Sequence, residues 1–82
     1  PPHIDPSAAI HPTATLGEGV SVGPFVVVRA GAVIGDRCTL AAGVVVGANC
    51  RLGAACTLHP RAVLYADCVL GARVIVHANA VL

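Results

Sequence analysis

The stretch "VSVGPFVVVRAGAVIGDRCTL", residues 20–40, repeats a short phrase with variations. Val22, Val28, Ile34 and Leu40 fall six apart, and each has a small apolar partner two places earlier: Val20, Val26, Ala32 and Cys38. An amphipathic helix would need spacings of three and four, which are absent. The aliphatic register runs unbroken from Ile4 through Ile10 and Leu16, then through Val46, Leu52, Leu58, Leu64, Leu70 and Val76 to Leu82. The small phase continues in both directions as Ala8 and Ala14, then Val44, Cys50, Cys56, Ala62, Cys68, Val74 and Ala80.

The residues that punctuate the chain keep the same clock. Six of nine glycines directly follow the aliphatic position, and the other three (Gly19, Gly31, Gly43) fall two places later. That later phase also holds Asn49, Asp67 and Asn79, and Gly, Asn and Asp are the residues that tolerate a left-handed backbone in a tight turn. Pro6, Pro12, Pro24 and Pro60 sit between the two phases, where a fixed φ suits a turn. Each hexad therefore reads as a short strand and a turn. The strand's small and aliphatic residues point inward and the residue between them points out. Hexapeptide repeats of this kind build a parallel β-helix, so the expected fold class is all-β.

Composition agrees and removes other classes. The chain of 82 residues is 56% hydrophobic, yet it has one Phe, one Tyr and neither Met nor Trp. Such a core is made from small and branched side chains, as in repeat architectures. Arg29, Arg37, Arg51, Arg61 and Arg73 cut the chain into uncharged runs far shorter than the roughly 20 residues of a spanning helix. No basic n-region with an apolar core marks a signal peptide, and a net charge of +1 offers no basic stripe for nucleic acid. No membrane span and no nucleic-acid partner are expected. The only aromatics, Phe25 and Tyr65, fall in turns at different corners and form no base-stacking platform; Phe25 reads as a packing or interface residue.

The recurring order of aliphatic residue, Gly, two variable residues, small residue and variable residue resembles the bacterial hexapeptide-repeat transferases over essentially the whole chain. That resemblance implies a left-handed parallel β-helix of triangular section, with three hexads per coil and usually a homotrimer. Thirteen hexads then make a little over four coils, with residues 1–9 a candidate N-terminal cap on a single β-helix segment covering 1–82.

One subfamily is matched more specifically. Ile10-His11-Pro12-Thr13-Ala14, Gly23-Pro24, Ala30-Gly31 and Ile34-Gly35-Asp36 resemble the β-helix of UDP-3-O-(3-hydroxyacyl)glucosamine N-acyltransferases of lipid A biosynthesis. So do Leu58-His59-Pro60, Leu64-Tyr65, Leu70-Gly71, Arg73 and Val76-His77. The resemblance implies a bacterial cytoplasmic enzyme moving a 3-hydroxyacyl group from acyl carrier protein to the 2-amine of the sugar. It implies no metal and no cofactor beyond the carrier's phosphopantetheine. In that family an N-terminal uridine-binding domain, further coils with the catalytic histidine and a helical tail lie outside the part matched. No catalytic residue is therefore assigned within 1–82, and the chain alone is expected to be inactive. The alternative is an excised or engineered β-helical scaffold without catalysis, self-associating end to end through an uncovered last coil.

With three hexads per coil, residues 18 apart are vertical neighbours. Val27, Val45, Val63 and Val81 form an outward column without charge on one face. Val tolerates exposure, but a contiguous apolar stripe marks a contact surface, and this column is the expected trimer interface. His59 and His77 stack at the corner leading into it, as solvated turn residues or as substrate contacts; imidazole suits proton transfer near neutral pH. Gamma-class carbonic anhydrases share the fold and bind metal through histidines, but zinc catalysis needs three protein ligands. Here His11 belongs to another corner and His3 to the start of the chain, so no metal site is assigned. The four cysteines occupy the inward small phase, where Cys56 stacks on Cys38 and Cys68 on Cys50. All four are expected to be free and buried, as compact hydrophobes.

Overall fold

The computed structural model describes residues 3–82; Pro1 and Pro2, the start of the expected cap, lie outside the described residues. Twelve two-residue strands follow one another: β1 (Ala9–Ile10), β2 (Thr15–Leu16), β3 (Ser21–Val22), β4 (Val27–Val28), β5 (Val33–Ile34) and β6 (Thr39–Leu40). The second half continues with β7 (Val45–Val46), β8 (Arg51–Leu52), β9 (Thr57–Leu58), β10 (Val63–Leu64), β11 (Val69–Leu70) and β12 (Ile75–Val76). Every pairing is parallel and joins strands three apart, giving three four-stranded sheets ordered β1-β4-β7-β10, β11-β8-β5-β2 and β12-β9-β6-β3. This is a parallel β-helix of about four coils, with one sheet per side. The register is 18 throughout, as in Val27 opposite Val45 and Thr39 opposite Thr57.

Each coil is tied to the next at fixed points of the hexad. The N–H of the outward residue donates to the small residue one coil on, as from Thr15 to Ala32 at 2.8 Å, and the N–H after the aliphatic donates likewise, as from Gly17 to Ile34 at 2.8 Å. The turns are laddered as well, with Asn49 donating to Ala30, Arg61 to Ala42 and Asp67 to Ala48, each at 2.9 Å. The backbone's hydrogen-bonding demand is thus met by the neighbouring coil, which strands of two residues could not do alone.

All the fully buried hydrophobic residues, including Val26, Cys38, Val44, Leu58 and Leu64 at 0%, belong to the two inward phases. Among the described residues no charged or polar one is buried with them. Fully burying one such Val, Leu or Ile contributes roughly 1.5–3 kcal/mol, so the repeat supplies one such increment at every side of every inner coil. The end coils are less covered: Ile10, Leu16, Cys68 and Leu70 are half-buried. Cys68 therefore departs from the expected burial, since none of the described coils lies over it. All four cysteines are free.

The two glycine phases have different causes. Gly19, Gly31 and Gly43 have φ of 70°, 72° and 71°, as a turn with a left-handed second central residue requires. The glycines after the aliphatic do not; a Cβ on Gly35 would lie 2.6 Å from the Gly53 backbone, and one on Gly53 would lie 2.7 Å from the Ala72 backbone. They let coils approach. The left-handed phase is also occupied by Phe25, Arg37, Ala55, Arg61 and Arg73, with φ of 59–62°. Composition alone does not suggest those five, since such a conformation costs a non-glycine residue about 1–2 kcal/mol.

The first two corners are built differently. Asp5 Oδ1 accepts hydrogen bonds from the Ser7 N–H (2.9 Å) and hydroxyl (2.7 Å), and His11 Nδ1 accepts from the Thr13 N–H at 3.1 Å. The freed hydroxyl oxygens then accept from the next coil, Ser7 Oγ from the Phe25 N–H and Thr13 Oγ1 from the Gly31 N–H, both at 3.0 Å. Side chains here do what backbone carbonyls do in later coils. The hydrogen bonds from Ser7, first the side chain's and then the backbone's, hold the Asp5 carboxyl below its ordinary pKa of 3.8.

Candidate functional site

The outer surface is differentiated by columns. The sheet β1-β4-β7-β10 presents Ala9, Val27, Val45 and Val63, with Val81 bridged to Val63. Val27, Val45 and Val63 are half-buried and Val81 is 56% exposed. No charge interrupts this valine face. The sheet β12-β9-β6-β3 presents Ser21, Thr39, Thr57 and Ile75, a largely hydroxyl-bearing column.

His59 and His77 stand at the corner between these two faces, each directly after a strand, β9 and β12. The His59 N–H donates to the Val76 carbonyl at 2.9 Å, which fixes the backbone of one coil over the other. Their rings stack with centroids 6.0 Å apart and planes 8° from parallel. Both are exposed, and Ala41 occupies the same position in the coil beneath. Two imidazoles in register offer paired nitrogen donors and acceptors along the edge of the valine face. A third ligand does not join them: among the described residues no three His, Cys, Asp or Glu side chains come together as a metal site. His11 lies at the opposite edge with Nδ1 engaged by the Thr13 hydroxyl at 2.8 Å.

That opposite edge holds the feature sequence reasoning missed. A groove of about 490 Å³ runs beside the valine face, lined by Ala9, His11, Val27, Arg29, Ala30 and Ala48 among others. A second, of about 310 Å³, continues past Arg29 along Val45 and Val63 to Tyr65. The signal was present in the residue that follows each aliphatic. On the sheet β11-β8-β5-β2 that position is Gly17, Gly35, Gly53 and Gly71; at the exit of the valine face it is His11, Arg29, Gly47 and Tyr65. Large side chains separated by a glycine leave a trough between them. Tyr65 is 67% exposed and Phe25, at the entry corner, 73%. The turn proper follows Tyr65 at Ala66 and Asp67, so the ring projects from the strand's end. Both aromatics of the chain flank one face.

The repeat matches the profile of the bacterial transferase hexapeptide family (six repeats) over residues 13–48 and again over 49–82. The chain belongs to that family. No curated protein matches this hexapeptide-repeat chain in sequence at a significant level. Among solved structures it is similar to the UDP-N-acetylglucosamine acyltransferase of Arabidopsis, with 35% identity and a TM-score of 0.90 over 96% of this chain and 29% of that one. It is also similar to PerB from Caulobacter crescentus, solved in complex with CoA and GDP-perosamine: 30% identity, TM-score 0.53, 95% of this chain and 49% of that one. The hexapeptide-repeat chain thus spans under a third of the first relative's length and about half of the second's. No helix among the described residues is long and apolar enough to cross a membrane.

Proposed function

We propose that this chain is the β-helical part of an acyltransferase whose acceptor is a UDP-linked glucosamine. The observation that carries this reading is the superposition of nearly the whole chain on a UDP-N-acetylglucosamine acyltransferase at a TM-score of 0.90. The order Leu58-His59-Pro60, Leu64-Tyr65 and Val76-His77 supports the narrower assignment made from sequence. In that assignment a 3-hydroxyacyl group passes from acyl carrier protein to the 2-amine of a UDP-3-O-acylglucosamine, in the cytoplasm of a bacterium.

In that reaction the amine nitrogen attacks the thioester carbonyl and a C–N bond forms. The C–S bond breaks, a general base takes the amine proton, and the carrier's thiol leaves protonated. The valine face is proposed as the contact of a homotrimer, which would turn the grooves beside Arg29 and the His59–His77 corner into the walls of clefts between subunits. In that arrangement His59 and His77 contact substrate along the cleft. The general base is not assigned among the described residues, and these coils alone are expected not to turn over.

Acyl transfer from hydroxyacyl-acyl carrier protein, followed by mass spectrometry with UDP-3-O-acylglucosamine and UDP-N-acetylglucosamine side by side, tests the assignment. The chain alone should give no product with either acceptor. A chimera carrying residues 9–82 in place of the matching coils of a UDP-3-O-acylglucosamine N-acyltransferase should fold and acylate the amine. Turnover by the chain alone would refute the placement of the base, and a folded trimeric chimera without activity would refute the assignment.

A further inference from the structure

Three strands of the valine face are bracketed by matching residues. Phe25 lies two residues before β4 and Arg29 directly after it; Gly43 and Gly47 bracket β7 in the same way, and Arg61 and Tyr65 bracket β10. These strands pair in register, so the six residues form an entry edge and an exit edge at matched heights. From β4 to β10 the entry edge is aromatic, bare and cationic, while the exit edge is cationic, bare and aromatic. The two edges are complementary level by level.

Within one chain that complementarity goes unused. Residues four apart on an extended backbone are about 13 Å from each other, so neither pair can close on itself. Phe25 is 73% exposed, more than any other large hydrophobic side chain among the described residues, and Arg29, Arg61 and Tyr65 are exposed with it. Phe25 and Arg61 both hold a left-handed backbone, with φ of 59° and 62°. Inter-coil hydrogen bonds fix them there, from the Phe25 N–H to Ser7 Oγ at 3.0 Å and from the Arg61 N–H to the Ala42 carbonyl at 2.9 Å. The entry edge is preorganised, which lowers the cost of binding. A rotation axis parallel to the coils keeps every level and sets the entry edge of one copy against the exit edge of the next. A guanidinium over an aromatic face is then attracted by the ring quadrupole, more strongly once the pair leaves water.

We propose that each contact between copies is clasped by two cation–aromatic pairs, Phe25 on the partner's Arg29 and Arg61 on the partner's Tyr65. The proposal rests on the homotrimer proposed above and adds what sets its register. A slip of one coil in either direction loses both pairs. Gly43 and Gly47 place no side chain between the edges at the middle level, and the groove of about 310 Å³ between Arg29 and Tyr65 gives the rings room. His59 stands two residues before Arg61, directly after β9 and on the side of the corner away from the valine face, so it lies outside the clasp.

Sedimentation equilibrium over a range of concentrations, with circular dichroism to check folding, tests the clasp. The parent should be a trimer. Phe25→Ala and Arg61→Ala should each raise the concentration for half-assembly by about tenfold. Phe25→Arg should raise it further, and adding Arg29→Phe should return it to within about threefold of the parent, because the swap rebuilds the pair with its members exchanged. The swapped chain should fold, since Arg37, Arg61 and Arg73 hold the Phe25 phase at φ of 60–62° and Tyr65 holds the Arg29 phase. Arg51→Ala, on another face, should leave assembly unchanged. A parent of any other mass would overturn the clasp together with the trimer. A trimeric parent would overturn the clasp alone if Phe25→Arg left assembly unmoved, if the folded swap stayed as weak as Phe25→Arg, or if Arg51→Ala cost as much as Arg61→Ala.

Discussion

The valine face and the threonine-bearing face are built on the same plan and differ only outside. Behind Val45 and Val63 stand Val46 and Leu64; behind Thr39 and Thr57 stand Leu40 and Leu58, and all four aliphatics are buried to 1% exposure or less. Outside, one column is apolar throughout and half-buried at Val27, Val45 and Val63, while the other carries hydroxyls at Ser21, Thr39 and Thr57 and ends in Ile75, exposed at 60%. The edges differ as well, since His11, Arg29 and Tyr65 border the valine face and not the threonine-bearing one. The inward positions answer to the fold and the outward ones to whatever the molecule meets. Asymmetry between faces of a repeat therefore points to function, where the repeat itself does not.

The inner equivalence can be broken first, and at the largest cost. Leu58→Ala and Leu64→Ala, one behind each face, should each lose about 2–5 kcal/mol in urea unfolding, with equal losses if the two sides share one core. A much smaller loss at Leu64 would show that the valine side is held from outside instead. The outer difference is sharpened by charge. Val45→Asp with Val63→Asp should reduce the proposed trimer to single chains in sedimentation, whereas Thr39→Asp with Thr57→Asp should leave the mass unchanged. An unaltered mass in the first pair would remove the interface.

The third side tests backbone approach. Gly35→Ala would set a Cβ 2.6 Å from the Gly53 backbone and should cost about 1–3 kcal/mol in the same assay. Gly71→Ala meets nothing within 4 Å and should be close to neutral. At the left-handed corner position the sign reverses. Ala55, with φ of 60°, should give a more stable protein as Gly, by up to about 1 kcal/mol in thermal unfolding.

The smallest effect is on pH. Burial pushes the Cys38 and Cys50 thiols above their ordinary pKa of 9.0. In the unfolded chain they ionise at the ordinary value, so the folded state loses ground as pH rises above it and the loss levels off beyond the raised value. Urea midpoints should be flat in these two groups below that value and fall above it, and Cys50→Ala should reduce the slope.

Much of this was legible in the residues. The period of six placed every fully buried aliphatic, Cys38, Cys50 and Cys56, and the stacking of His77 on His59, because a solenoid repeats one local rule. Three things were not. Phe25, Arg37, Ala55, Arg61 and Arg73 take the left-handed corner because the inter-coil ladder holds their backbone there, overriding their own preference. The groove at Arg29 and Tyr65 depends on Gly47 lying between them in space, although 18 residues separate each from it in the chain. Cys68 is half-buried because coverage comes from a neighbouring coil and not from the hexad.

The sequence by itself determined which residues point inward, where the chain turns and the family of the repeat, since each depends on contacts within six residues. Only the tertiary structure decided which columns become neighbours and which glycines serve space and which serve φ. Those depend on coils stacked at a distance of 18 residues, where exposure and close approach are set by what lies above and below.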